Sequence, residues 1–192
     1  MDTTLLVIIV IAAVALVAIA AIGWFVAQKK RSDELRSGFG SEYDRTVDEY
    51  GSKGKAEADL RERQKRVSKF DIRPLDPNER ERYAKSWAAT QARFVDSPAE
   101  AVGEADGLVN EVMRARGYPM SDFDQQAADI SVDHPQVVEN YRSARAIAER
   151  NEAGEASTED LRQAMVHYRE LFNDLLEGDA EVMEEQRETV RR

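Results

Sequence analysis

The chain has 192 residues, 42% of them hydrophobic and 33% charged, with no cysteine, two histidines and a formal net charge of -10. That size admits one anchored domain, or a small domain with added segments. The lack of cysteine excludes a disulfide framework, a thiolate nucleophile, zinc-thiolate ligation and an iron-sulfur cluster, and two histidines cannot supply a three-histidine metal site.

The first element is apolar. From Leu5 to Val26 no residue carries a charge or a strong hydrogen-bonding side chain. At about 1.5 Å per residue, this run spans roughly 33 Å as a helix, the thickness of a bilayer core. A cleaved signal peptide fits less well, because its apolar stretch is shorter and its leading flank basic, whereas the only early charge here is Asp2. The reading is a transmembrane helix over residues 5 to 28, preceded by an extracytoplasmic tail of residues 1 to 4. Lys29, Lys30, Arg31 and Arg36 follow the run with no basic residue before it, which predicts a cytoplasmic C-terminal side. Trp24 and Phe25 suit the headgroup level. The small residues Ala12, Ala15, Ala18 and Ala21 recur every third position rather than at the four-residue spacing of close helix pairing.

Residues 29 to 75 read as a basic, glycine-interrupted juxtamembrane linker, with Gly38, Gly40, Gly51 and Gly54 breaking a polar sequence. Short helices are predicted from Ser41 to Tyr50 and from Lys55 to Phe70, the second with a thin stripe of Leu60, Val67 and Phe70. Its cations Arg61, Arg63, Lys65, Arg66 and Lys69, with Arg73 beyond, are candidates for lipid-surface contact, set against a plain solvated spacer laced with ion pairs. Nucleic acid is not an expected partner, since aromatic interleaving is missing and the segment that follows is acidic.

Residues 76 to 177 are punctuated as helices. Asp76-Pro77 with Glu79 and Ser97-Pro98 with Glu100 each combine a cap, a first-turn proline and an acid at the third position. His134-Pro135 places proline in the same way, Ser157 or Thr158 opens a last helix, and Gly117 and Gly154 mark stops. Five amphipathic helices result. Their apolar faces include Tyr83, Trp87 and Phe94 on the first, Val102 to Met113 on the second, Phe123, Ala127 and Ile130 on the third, Tyr141 and Ala144 on the fourth, and Leu161 to Leu176 on the fifth. No window alternates with period two. The fold class is therefore all-α: a transmembrane helix, a polar helical linker and a compact five-helix, bundle-like acidic domain. The polar tail, residues 178 to 192, is expected to fray or be disordered.

Chemical constellations are few. Gly51 to Lys55, GSKGK, has the look of a phosphate-loop ending, but Glu49 stands where the first glycine belongs, Ala56 replaces the Ser or Thr, and no strand precedes it. His167 and Glu170 lie three apart on one helix, yet no second helix carries the matching Glu-x-x-His. The acids Glu177, Asp179, Glu181, Glu184 and Glu185 lack the spacing of a calcium loop. No catalytic residue, metal ligand or cofactor site is assigned. The aromatics Tyr83, Trp87, Phe94, Tyr141 and Tyr168 are either core or the lining of a groove.

FDIRPLDPNERERYAKSW from Phe70, ARFVDSPAEAVGEADGLVNEVMRARGYP from Ala92, SVDHPQVVENYR from Ser131 and STEDLRQAMVHYRELF from Ser157 resemble a family of uncharacterised bacterial single-pass membrane proteins. The resemblance implies a bacterial, membrane-anchored chain and brings no activity, cofactor or catalytic residue. The expected protein sits in the bacterial inner membrane and presents a cytoplasmic helical adaptor or scaffold domain to a protein partner. The alternatives are a membrane-anchored enzyme or small-ligand bundle, and a lipid-surface sensor acting through residues 61 to 73.

Overall fold

In a computed structural model, the described residues are 3–191 for the backbone and 16–176 for the side chains. They form eight helices and no strand: α1 (Thr3–Phe39), α2 (Ser41–Tyr50), α3 (Lys53–Val67), α4 (Pro77–Arg93), α5 (Pro98–Arg116), α6 (Phe123–Asp133), α7 (Val138–Glu152) and α8 (Thr158–Arg191). The five helices expected between residues 76 and 177 are α4 to α8.

Caps explain some of the boundaries, though Ser97, expected to cap α5, makes no side-chain bond to that helix's amides. Asp76 accepts the amides of Asn78 and Glu79, both at 2.8 Å, while the Glu79 carboxylate accepts the Asp76 amide at 3.0 Å. This closes a capping box at the start of α4. Ser157 and Asp160 exchange the same pair of bonds at the start of α8. Gly117 stops α5 with φ +98°, and its amide and that of Tyr118 reach back to the carbonyls of Arg114 and Met113. A Cβ at Gly117 would lie 2.2 Å from the Asp71 carbonyl oxygen, because the connector between α3 and α4 crosses here, with the Arg73 amide donating to the Arg116 carbonyl. Pro135 departs from expectation. His134 caps the end of α6 through its own amide, and Pro135 lies in the turn before α7, whose first residue is Val138.

The main core gathers Val102, Val109, Val112 and Met113 of α5, Ile130 of α6, Tyr141 and Ala144 of α7, and Tyr168, Leu171, Phe172 and Leu175 of α8. Trp87 of α4 stacks on Phe172 with centroids 4.8 Å apart, closing one side.

A second, smaller core corrects the reading of residues 29 to 75 as a polar linker without a core of its own. Leu35 and Phe39 at the end of α1, Tyr43 of α2 and Leu60 of α3 pack together, and Val132 of α6 leans on them. The pattern was there in Ala56, Leu60, Arg63 and Val67, all buried and spaced by four, three and four on α3. An arginine in the middle of that stripe conceals it from a count of apolar residues. The segment is thus no loose spacer but a helical layer folded onto the α4 to α8 unit. The backbone of residues 178 to 191, expected to fray or be disordered, instead continues α8 to Arg191.

Candidate functional site

The most elaborate constellation lies between the two cores. Glu42, in the first turn of α2, is 2% exposed, and its carboxylate accepts from three guanidinium groups. Arg45 donates through Nε and Nη2, both at 2.9 Å, and Arg142 of α7 through Nη1 at 2.7 Å and Nη2 at 2.9 Å. Arg63 of α3 adds Nη1 at 2.7 Å and reaches Ser131 of α6 at 3.3 Å. Burial alone would push the Glu42 carboxyl up. The hydrogen bonds and charges of Arg45 and Arg142 outweigh it and hold the group at about 2, against an ordinary 4.5. So strong a set of charge-assisted bonds leaves this carboxylate neither a proton to give nor an open lone pair to take one. Its chemistry is attachment: one carboxylate joins α2, α3 and α7.

Arg66 makes the same junction one turn further along α3, donating from Nε at 2.8 Å to Asp129, which is buried on α6. Of the six cations considered for lipid contact, Arg63 and Arg66 therefore point into the fold. Arg61 binds Glu57 at 2.9 Å, and Arg73 grips Glu79 with two bonds at 2.8 and 2.9 Å. Lys65 and Lys69 are exposed. Of the six, Arg63 is thus buried and Arg66 half-buried, while Arg61, Lys65, Lys69 and Arg73 remain exposed.

Among the aromatics weighed as core or groove, Tyr83, Trp87, Tyr141 and Tyr168 are buried, and Phe94 is partly buried against the same core. The hydroxyls of Tyr141 and Tyr168 are satisfied inside. Tyr168 donates to Asp106 at 2.8 Å and Tyr141 to Gln126 at 3.1 Å, while Arg145 pairs with Asp106 at 3.2 Å. Burial, reinforced by the Asp106 charge, pushes both phenols upward, so they stay protonated donors.

The histidines take structural places. His167 pairs through Nδ1 with the side chain of Asn140 at 2.9 Å. His134 is buried with Nδ1 against Asp174, whose other oxygen accepts from Gln136 at 2.9 Å. Burial raises the Asp174 carboxyl, and the bonds from His134 and Gln136 carry it below its ordinary range instead. His134 Nε2 is enclosed without a hydrogen-bond partner, so a dissolved substrate has no path to that nitrogen. Among the described residues, no group of three or more histidines, aspartates or glutamates is placed to hold a metal ion.

A polar pocket lies at the other end of the small core. Glu57 of α3 is buried, accepts the Tyr43 hydroxyl at 3.0 Å and has Lys53 at 3.8 Å, while Ser32 of α1 lies 3.4 Å from the same hydroxyl. Burial raises this carboxyl, and the bonds from Ser32 and Tyr43 with the Lys53 and Arg61 charges bring it below its ordinary range.

No protein-family model matches the chain, and none of the curated proteins or solved structures compared with it is similar.

Proposed function

We propose that the chain is a single-pass protein of the bacterial inner membrane, anchored by Leu5 to Val26, whose helical domain is an interaction module for a protein partner on the cytoplasmic side. Among the described residues no helix is long and apolar enough to cross a membrane, and Leu5 to Ala15 of the expected span lie outside those whose side chains are described. One observation carries the anchor. Leu16, Val17, Ile19, Ile22, Trp24, Phe25 and Val26 of α1 are each at least 60% exposed, whereas Leu35 and Phe39 of the same helix are buried. A helix apolar on every side needs an apolar surrounding, and lipid supplies it without a protein partner.

The partner reading follows from the charge distribution. Residues 71 to 192 carry 15 basic and 27 acidic side chains, and Glu100, Glu111 and Glu152 stand exposed on α5 and α7. Such a surface favours a basic partner and makes capture salt-sensitive. The buried aromatics and the saturated Glu42 carboxylate favour binding over catalysis.

Two experiments test the reading. A phosphatase fused after Arg192 should stay inactive while a cytoplasmic reporter works; active phosphatase there overturns the orientation. Crosslinking in cells should capture proteins with the intact chain that a chain of residues 1 to 31 does not capture. Identical capture by both would remove the helical domain from partner binding.

A further inference from the structure

We propose that the cleft between the lower part of α1 and the start of α3 seats the headgroup of an anionic phospholipid. The proposal rests on the membrane anchor above and places lipid recognition outside the stretch at Arg61 to Arg73, where Arg63 is buried and Arg61, Arg66 and Arg73 pair with carboxylates.

The cleft encloses about 320 Å³. Phe25 forms its wall on the side of the apolar run, and Lys29, one helical turn further on, stands over it. On the opposite wall Lys53 and Gly54 bring in the GSKGK turn between α2 and α3. A motif that fails as a nucleotide loop therefore comes to lie against the end of the anchor. The arrangement suits a phosphodiester for three reasons. Lys29 and Lys53, on separate helices, line one space, and Lys53, 3.8 Å from the Glu57 carboxylate, keeps 63% of its side chain exposed. Ser52 leaves the first amides of α3 without a side-chain cap. Gly54 leaves room, since nothing lies within 4 Å of where its Cβ would be. Glu57 also borders the cleft, but its carboxylate is already engaged by Tyr43 at 3.0 Å and Arg61 at 2.9 Å.

Position selects the occupant. Trp24 and Phe25 are the last aromatics of the apolar run, so Lys29 falls where lipid phosphates lie if that run is embedded. The fold then holds the α2–α3 turn at the same depth, because Leu35 and Phe39 of α1 are locked to Tyr43 and Leu60.

The test uses the full chain, purified in a non-ionic detergent and mixed with phosphatidylglycerol or phosphatidylcholine, with bound lipids counted by native mass spectrometry. Phosphatidylglycerol should be retained preferentially. Lys29→Gln and Lys53→Gln should each lower retention roughly fivefold, since each charge near an anionic surface contributes about 1 kcal/mol. Lys65→Gln with Lys69→Gln should leave retention unchanged. Gly54→Leu fills the cleft without touching a charge, at a position whose backbone accepts a side chain, and should also displace the lipid. Equal retention of the two lipids, or retention that survives Gly54→Leu, overturns the seat in favour of diffuse attraction. Displacement by inorganic phosphate at the lipid's own concentration overturns the lipid as occupant. Release of the native chain from cell membranes by alkaline carbonate overturns the anchor, and the seat with it. A chain that stays embedded yet shows no lipid preference overturns the seat alone.

Discussion

Replacing Glu42 with glutamine probes the junction directly, because it keeps the shape of the side chain and removes its charge. In the native fold this carboxylate faces Arg45, Arg63 and Arg142, and Arg63 has only 7% of its side chain exposed. Two estimates of the cost agree. Breaking a buried ion pair from one side costs about 3 to 5 kcal/mol, since the remaining charges stay buried. The depression of the Glu42 carboxyl from 4.5 to about 2 corresponds to roughly 3 kcal/mol of linked stability. The sign is set by that depression: the contribution is complete above about 4.5 and disappears as pH falls through about 2. Urea unfolding of the full chain in detergent should therefore show Glu42→Gln less stable by about 3 kcal/mol at pH 7. The gap between wild type and variant should close as the solution is acidified below pH 4. In a double-mutant cycle with Arg142→Gln, the two losses should fall short of additivity by more than about 1 kcal/mol. A loss below about 1 kcal/mol at pH 7, unchanged by acid, would refute the junction and leave Glu42 a bystander.

Gly117→Ala should destabilise the chain by at least about 2 kcal/mol, since φ +98° is unfavourable for a side chain and the new methyl meets the Asp71 carbonyl; a thermal midpoint unchanged from wild type would contradict the crossing of the α3–α4 connector. Trp87→Ala should cost on the order of 3 to 5 kcal/mol in the same denaturation, through loss of the stack on Phe172. Asp76→Ala removes the oxygen that accepts two amides at the start of α4 and should cost about 1 kcal/mol, with faster hydrogen exchange confined to the first turn of that helix.

The acidic domain was legible in sequence because its boundaries are written in local chemistry. Asp76-Pro77 with Glu79 and the stop at Gly117 act within a few residues, and the apolar steps from Leu161 to Leu176 name the buried face of α8 unaided. The proximal helices α2 and α3 were read close to their observed bounds, but their packing was opaque for a physical reason. Their burial depends on partners far away in the chain, a carboxylate at position 42 meeting a guanidinium at position 142, and such pairs leave no periodic trace. The aromatics were undecided between core and groove for a related reason. Spacing assigns a side to Tyr141 and Tyr168, but only the arrival of Gln126 and Asp106 at their hydroxyls shows that side to be closed.

The uninterrupted course of α1 from Thr3 to Phe39 has a mechanical consequence. With no hinge between Trp24 and the locked Leu35, the helix works as a shaft, and whatever turns the upper half also turns the folded body. Each residue added to the shaft rotates one end against the other by about 100° and lengthens it by about 1.5 Å. Insertions of one to four alanines after Gln28 should therefore affect function with the phase of the helix: worst near a half turn, mildest when four residues restore the facing.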